Sequence, residues 1–229
     1  MAHPTGTRRE RLRREAIDEI KHLAMRQIAE SGPAGLSIAA IAKQMGMTGP
    51  ALYRYFANRD VLLTALIRDG YADLADTMER TARSGAALPA SQRLHSVAAE
   101  LRAWALVEPQ RYLLLFGTPV AGYEAPMDTL VAANRTLYVL AAIAAELLPD
   151  APSPTLGALG EQFHTQAVAD AVGISATALM AATTTWTRMH GVVSLEVIGQ
   201  FRHMHIDAGL LLRREIDSVI AYTKSGLSI

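Results

Sequence analysis

The chain of 229 residues contains no cysteine. That excludes a disulfide framework, a thiolate zinc site and a cysteine nucleophile, and it fits a reducing compartment. Aromatic residues make up only 6%. No stretch approaches the roughly 18 uninterrupted apolar residues that a membrane span requires. The opening, residues 1–15, carries positive charge with no apolar run behind it, so it does not read as a secretory signal. The expectation is a soluble, cytoplasmic protein with no membrane partner. Strand-type alternation, internal repeats and low-complexity segments are also missing. So are an acid–base pair at helical spacing, a phosphate-cradling glycine loop and a nucleophile motif. The chain is therefore not expected to be an enzyme, and no cofactor is called for. Asp69, Asp73 and Asp76 read as a solvated helix face. His203-x-His205 lies near a helix break with no third ligand in view, so it reads as a solvated pair and not as a metal site.

What is present favours helices. Half of the residues are apolar, and alanine, which is abundant, costs least in a helix. Ile17, Ile20, Ala24 and Ile28 recur at spacings of three and four and predict a first helix over about 7–31. Beyond the break at 31–35, short helices follow over 38–45 and 49–56, and a longer one opens at Asn58 and runs to about 82. Further helices are predicted at about 90–107, 109–117, 126–148, 155–172, 175–200 and 206–223, punctuated by prolines. The fold class is all-α: an N-terminal three-helix head, residues 1–60, and a C-terminal antiparallel helix bundle, residues 61–229.

Charge divides along the same line. Residues 1–60 hold 10 Lys+Arg against 6 Asp+Glu, and the other 169 hold 12 against 16. A basic head on an acidic body suggests that the head alone meets a polyanion. Arg8, Arg9, Arg11, Arg13 and Arg14 crowd the start of the first helix, where the helix dipole disfavours cations. Phosphate contact is one explanation, and a frayed, solvated arm is the other.

The segment Ser37–Phe56 carries the strongest motif. Ser37 is placed to cap one short helix, Gly46 to supply the positive φ of a tight turn, and Thr48 to cap a second helix whose Pro50 falls harmlessly in the first turn. Two short helices joined by such a turn make a helix-turn-helix, whose second helix can enter the major groove of duplex DNA while the first braces it. Ile38, Ile41, Ala42, Met45, Met47, Leu52 and Phe56 would form the small core. Outside that core, Thr48 and Gly49 present a helix N-terminus suited to phosphate. Tyr53 and Tyr55 offer hydroxyls, and Lys43, Arg54 and Arg59 offer charge. Base readout looks sparse: Thr48 for a base edge, Pro50 or Ala51 for a thymine methyl, with Gln44 and Arg54 as helpers. DNA shape and backbone placement should then carry much of the specificity.

The run SIAAIAKQMGMTGPALYRYFANRDVLL resembles the DNA-binding head of the TetR/AcrR family of bacterial regulators. It has the Ile-Ala pair of the bracing helix, Gly46 in the turn, Leu52-Tyr53-Arg54-Tyr55-Phe56, and the Asn58-Arg59-Asp60 opening of the linking helix. Later, Trp186-Thr187-Arg188-Met189-His190-Gly191 resembles the tryptophan–histidine–glycine signature of one TetR-type C-terminal domain. The resemblance implies a homodimer in which the last two helices pair with the partner's copies. Gly191 would allow close approach, and Val192, Leu195, Ile198, Leu211, Leu212, Ile216, Val219 and Ile220 would supply apolar area. Packing within one chain is the alternative use of these residues. The resemblance also places a small-molecule effector among the central helices. Trp104, Tyr112, Phe116, Tyr138, Phe163, Met180, Trp186 and Met189 are the large side chains available, with His164, Thr183 and Arg188 as polar anchors. Together they suggest an apolar or aromatic effector. The function so implied is a repressor released from a palindromic DNA operator by that effector. An activator, or a ligand-independent DNA-binding protein of the same fold, is the alternative.

Overall fold

The computed structural model describes residues 7–127, 129–148, 157–164 and 173–225, and every secondary-structure element among them is helical. In chain order these are α1 (Arg8–Ser31), α2 (Ile38–Gln44), α3 (Gly49–Tyr53), α4 (Arg59–Ser84), α5 (Ala90–Val107), α6 (Pro109–Phe116), α7 (Thr129–Leu147), α8 (Gly157–His164), α9 (Ala176–Val197) and α10 (Ala208–Lys224), with a 3-10 turn at Pro33–Gly35. Predicted and observed boundaries agree closely for α1, α5 and α6. The part of the predicted 155–172 helix beyond 164 lies outside the described residues.

The helix starts follow capping chemistry. Thr7 and Glu10 form a capping box, in which the Thr7 hydroxyl accepts from the Glu10 amide and the Glu10 carboxylate accepts from the Thr7 amide, so two otherwise unpaired donors are satisfied together. Asn58 Oδ1 accepts from the Val61 amide at 2.9 Å, and Asp60 sits in the first turn of α4, where a negative charge is favoured. Ser175 caps α9 and Asp207 caps α10. Two backbone hydrogen bonds, the first from Leu210 and the second from Gly209, hold the Asp207 carboxyl below the usual carboxylate range.

The chain forms two compact units: Met1–Tyr71 with Gln110–Thr129, and Ala72–Pro109 with Leu130–Ile229. The first extends well past residue 60 because α6 and the segment after it pack on the first half of α4. Leu114 joins the apolar core of Ile20, Ala24, Ile28, Ile41, Leu52, Phe56, Leu62 and Leu63, and Leu115, Val120 and Tyr123 border it. The hydroxyls of Thr64 and Tyr123 lie 3.0 Å apart, and Tyr71 donates to the Leu115 carbonyl. A Cβ at Gly70 would stand 3.1 Å from the Leu115 side chain, so α6 approaches α4 at a position that a larger residue would crowd. Burial, with the neighbouring Tyr123, raises the Tyr71 hydroxyl above its ordinary pKa.

In the second unit α5, α9 and α10 pack through Leu94, Val97, Leu101, Val193, Leu212 and Ile216, all buried. Arg102 on α5 binds Glu196 on α9 in bidentate fashion, both bonds at 2.6 Å. On α7, Arg135 donates to Glu79 at 2.9 Å and to Asp76 at 2.6 Å, both on α4. The hydrogen bond from Arg135 lowers the Glu79 pKa. A carboxylate whose folded pKa is depressed stabilises the fold above its unfolded value, about 4.3, and loses that contribution as pH falls through the folded value. Stability followed by circular dichroism is therefore expected to decline below about pH 4.3, and Glu79→Gln should flatten that decline.

Candidate DNA-binding site

The turn between α2 and α3 is built from local bonds. Gly46 has φ +65°, a conformation that other L-residues adopt only at a cost. The Met47 amide donates to the Ala42 carbonyl and the Gly46 amide to that of Lys43. These two bonds satisfy carbonyls that the end of α2 would leave open. Gly46→Ala is expected to destabilise the chain by about 1 kcal/mol, measurable as a lowered unfolding midpoint in urea. Ser37 caps α2 through the Ala40 amide, and its own amide donates to Gln27 Oε1 on α1 at 2.9 Å. The bracing helix is thereby tied to α1.

Two local expectations are corrected. Thr48 occupies the N-cap position of α3, but its side chain makes no capping bond. Its carbonyl accepts from the amides of Ala51 and Leu52 instead, so the exposed hydroxyl is not engaged in the cap. The helix predicted over 49–56 is regular only over Gly49–Tyr53. The amides of Tyr55 and Phe56 both donate to the Leu52 carbonyl, which tightens the chain and carries Phe56 into the core.

Lys43, Gln44, Thr48, Pro50, Tyr53 and Arg54 are exposed, while Ser37, Gly49, Ala51 and Tyr55 are half-buried. The inner residues Ile38, Ile41, Ala42, Leu52 and Phe56 are buried together. Tyr53 is 49% exposed. Arg59 behaves differently. Its guanidinium donates to the Pro33 carbonyl at 2.8 Å and pairs with Asp60 at 3.5 Å, so it fastens the 33–35 turn to the start of α4. Sequence reasoning missed this bond, because residues 26 apart in the chain carry no local sign of meeting.

Residues 20–66 match the family model of bacterial regulatory proteins of the TetR family, and residues 94–219 match that of the tetracyclin repressor-like C-terminal domain. The chain belongs to the TetR family. The HTH-type transcriptional regulator Rv1816 of Mycobacterium tuberculosis is 34% identical over 227 residues, which cover 91% of this chain and 94% of that protein. The counterpart Mb1846 of Mycobacterium bovis matches to the same extent. A solved structure of a candidate regulatory protein, SCO4313, is 44% identical with a TM-score of 0.83, covering 94% of this chain and all of that one. The transcriptional regulator FadR from Bacillus subtilis, solved in complex with stearoyl-CoA, shares the fold at 17% identity and a TM-score of 0.58, covering 92% and 99% of the two chains. This TetR-family chain is thus a DNA-binding transcriptional regulator and not an enzyme. Among the described residues no helix is long and apolar enough to cross a membrane.

In this TetR-family regulator the residues named for an effector each belong to one of the two units. Tyr112 and Phe116 belong to the first unit, where Phe116 meets Tyr112 and Tyr71 with ring centroids 5.1 and 5.8 Å apart. The others belong to the second unit. Trp104 is buried and its indole donates to Asp73 at 2.9 Å. Phe163 and Met180 share a small apolar cluster bordered by Leu137, Leu148, Ile174 and Tyr222. Tyr138 is half-buried and Met189 fully buried. Trp186 stacks on His190 at 5.5 Å, and burial lowers the pKa of that imidazole. The Thr183 hydroxyl donates to the Leu179 carbonyl of its own helix, and Arg188 pairs with Glu215. The side chain of His164 lies outside the described residues.

The apolar residues of the last two helices fall into two groups by exposure. Val192, Leu212, Ile216, Val219 and Ile220 are buried within the chain, and Leu211 is half-buried. Leu195, Ile198 and Leu210 are exposed, at 42%, 55% and 58%. Gly191 is exposed, with open space beside it. Among the described residues no group of acidic, histidine and cysteine side chains could hold a metal, and His203 and His205 are exposed.

Proposed function

We propose that this regulator acts as a homodimeric repressor that two copies of α3 seat on a palindromic operator. The observation that carries the reading is the outward face of α3. Thr48, Pro50, Tyr53 and Arg54 are exposed there, which is too few side chains to specify a long site alone. Two heads related by a two-fold axis double the contacts and fix a half-site spacing. Thr48 and the apolar edge of Pro50 and Ala51 read bases. Gln44 assists that readout, Tyr53, Tyr55 and Lys43 position the head on phosphates, and Arg59 supports them from within. Residues 1–60 thus serve DNA, and 61–229 serve ligand and partner. Such a protein works where the chromosome lies, in the cytoplasm.

Gly191, Leu195, Ile198 and Leu210 form the proposed seam between copies, since their exposure leaves them available. The ligand is a small apolar or aromatic molecule, because the second unit offers Phe163, Met180 and their apolar neighbours with few polar groups. It releases the operator by binding better to a dimer geometry that does not fit the half-site spacing.

The test is expression of the adjoining genes with and without this chain, read from a reporter. Repression predicts higher expression in its absence, and lower expression would establish an activator instead. Tyr53→Phe is expected to weaken binding to all duplexes alike, by about fivefold, as removal of one hydrogen bond of about 1 kcal/mol should. A change in the preferred base at a single position would contradict the phosphate role.

A further inference from the structure

The beginning of α1 and the outer side of α3 enclose an open groove of about 650 Å³. Arg8, Arg9, Leu12 and Arg13 line it from α1, and Arg54 and Tyr55 from the end of α3. The four residues of α1 stand at i, i+1, i+4 and i+5, which places them on one helix face. Among the described residues none of these four arginines makes an ion pair with an acid, and no acidic side chain lines the groove. Arg11 pairs with Glu15 away from it. Arg14 falls on the opposite side of the helix.

The arm is a defined part of the fold. The capping box of Thr7 and Glu10 starts the helix at Arg8, so the arginines stand on ordered turns. Arg13 lies over the Tyr55 ring, 5.3 Å from its centroid, which anchors one guanidinium beside α3. Cations at a helix N-terminus are disfavoured by the helix dipole. Arg8 and Arg9 stand in that first turn, and with Arg13 and Arg54 they give the groove four cations unneutralised by any acid, which suits an external anion. Apolar Leu12, Met47 and Ala51 line the groove beside the four arginines.

We infer that this groove takes the sugar–phosphate backbone of the operator beside the major groove that α3 reads, with Arg8, Arg9, Arg13 and Arg54 as phosphate ligands. The inference rests on α3 being the base-reading helix. It extends the DNA-facing surface of each head onto α1, and it gives the basic arm a fixed register on the duplex. It also supplies the backbone placement that the sparse base readout of α3 leaves to be provided.

The full-length protein first enriches a duplex from a randomised library. The affinity for that duplex is then measured over a range of salt concentrations. Removing one phosphate-binding cation should reduce the slope of log affinity against log salt by about 0.9, so Arg8→Gln, Arg9→Gln and Arg13→Gln combined should reduce it by roughly 2.7 per head. Arg14→Gln removes one such charge from the opposite face and should leave the slope nearly unchanged. Glutamine keeps the helix, and circular dichroism checks this. Should the triple variant lose helix, Arg13→Gln against Arg14→Gln decides the same question. An unchanged slope in the triple variant overturns the proposal, and so does a reduction of about 0.9 from Arg14→Gln, as large as one groove arginine should give, which would mean that net charge alone matters. Thr48→Val tests α3 separately: it should change the enriched sequence and keep the slope. If the sequence stays the same, the assignment of α3 fails whatever the arginines show.

Discussion

Phe56→Ala is expected to destabilise the chain by about 3–5 kcal/mol, a factor of roughly 10²–10⁴ in the ratio of folded to unfolded head. The reason is the size of the core it leaves. Phe56 is buried with Leu52, Ile41 and Ile38 between α1, α2, α3 and α4. These short helices have little else to hold them: α2 and α3 span seven and five residues, below the length at which an isolated helix is stable in water. Deleting the ring removes its transfer free energy and opens a cavity that the surrounding short helices fill only in part. DNA binding should fall with the folded fraction. Urea unfolding followed by circular dichroism measures the first effect, and a gel-shift titration the second. Tyr53→Ala, at an exposed position one turn away, is the comparison: it should weaken DNA binding with little change in unfolding. Equal stability of the Phe56→Ala and Tyr53→Ala variants would show that the head core lies elsewhere.

Placing glutamate at both Leu195 and Ile198 is expected to convert the proposed dimer to monomers and to weaken operator binding by about 10²–10⁴-fold. Both side chains are exposed near the end of α9, close in the chain to the turn that leads to α10. Their exposure means that the charge should leave the fold of one chain intact. Each carboxylate would have to be desolvated against an apolar partner surface, a penalty that an unpaired charge does not recover. Without the partner, the second head loses the high effective concentration that tethering gives it. Sedimentation checks the assembly and the salt-matched gel shift checks the affinity. A dimer that survives both substitutions would move the seam elsewhere, whereas Leu212→Ala, at a buried position, should lower stability and leave the assembly unchanged.

How much of this was legible beforehand depends on the distance over which each feature is made. The helix-turn-helix could be read from Ser37, Gly46, Leu52, Phe56 and Asn58, because caps, a positive-φ glycine and helical periodicity act within one or two turns. The same locality explains the small misreadings. The hydroxyl of Thr48 could make a capping bond or face solvent, and the sequence pattern is the same for both. Arg59 reads as a free cation until Pro33 is brought beside it. The apolar positions of the last two helices show a pattern that internal packing and a partner surface satisfy equally well. Only the arrangement of α5 against α9 and α10 separates the buried Leu212, Ile216, Val219 and Ile220 from the exposed Leu195, Ile198 and Leu210.

The order of the helices, their caps, the tight turn at Gly46 and membership of the TetR family were determined by the sequence, since each depends on near neighbours in the chain. Tertiary structure decided what joins distant segments. It brought α6 and Tyr123 onto α4, tied Arg102 to Glu196, and turned Arg8, Arg9 and Arg13 towards the same groove as Arg54. The physical reason is that hydrophobic burial is non-directional: the sequence marks which residues seek cover, and the packed fold selects which of them find it within the chain and which remain exposed to meet DNA or a second copy.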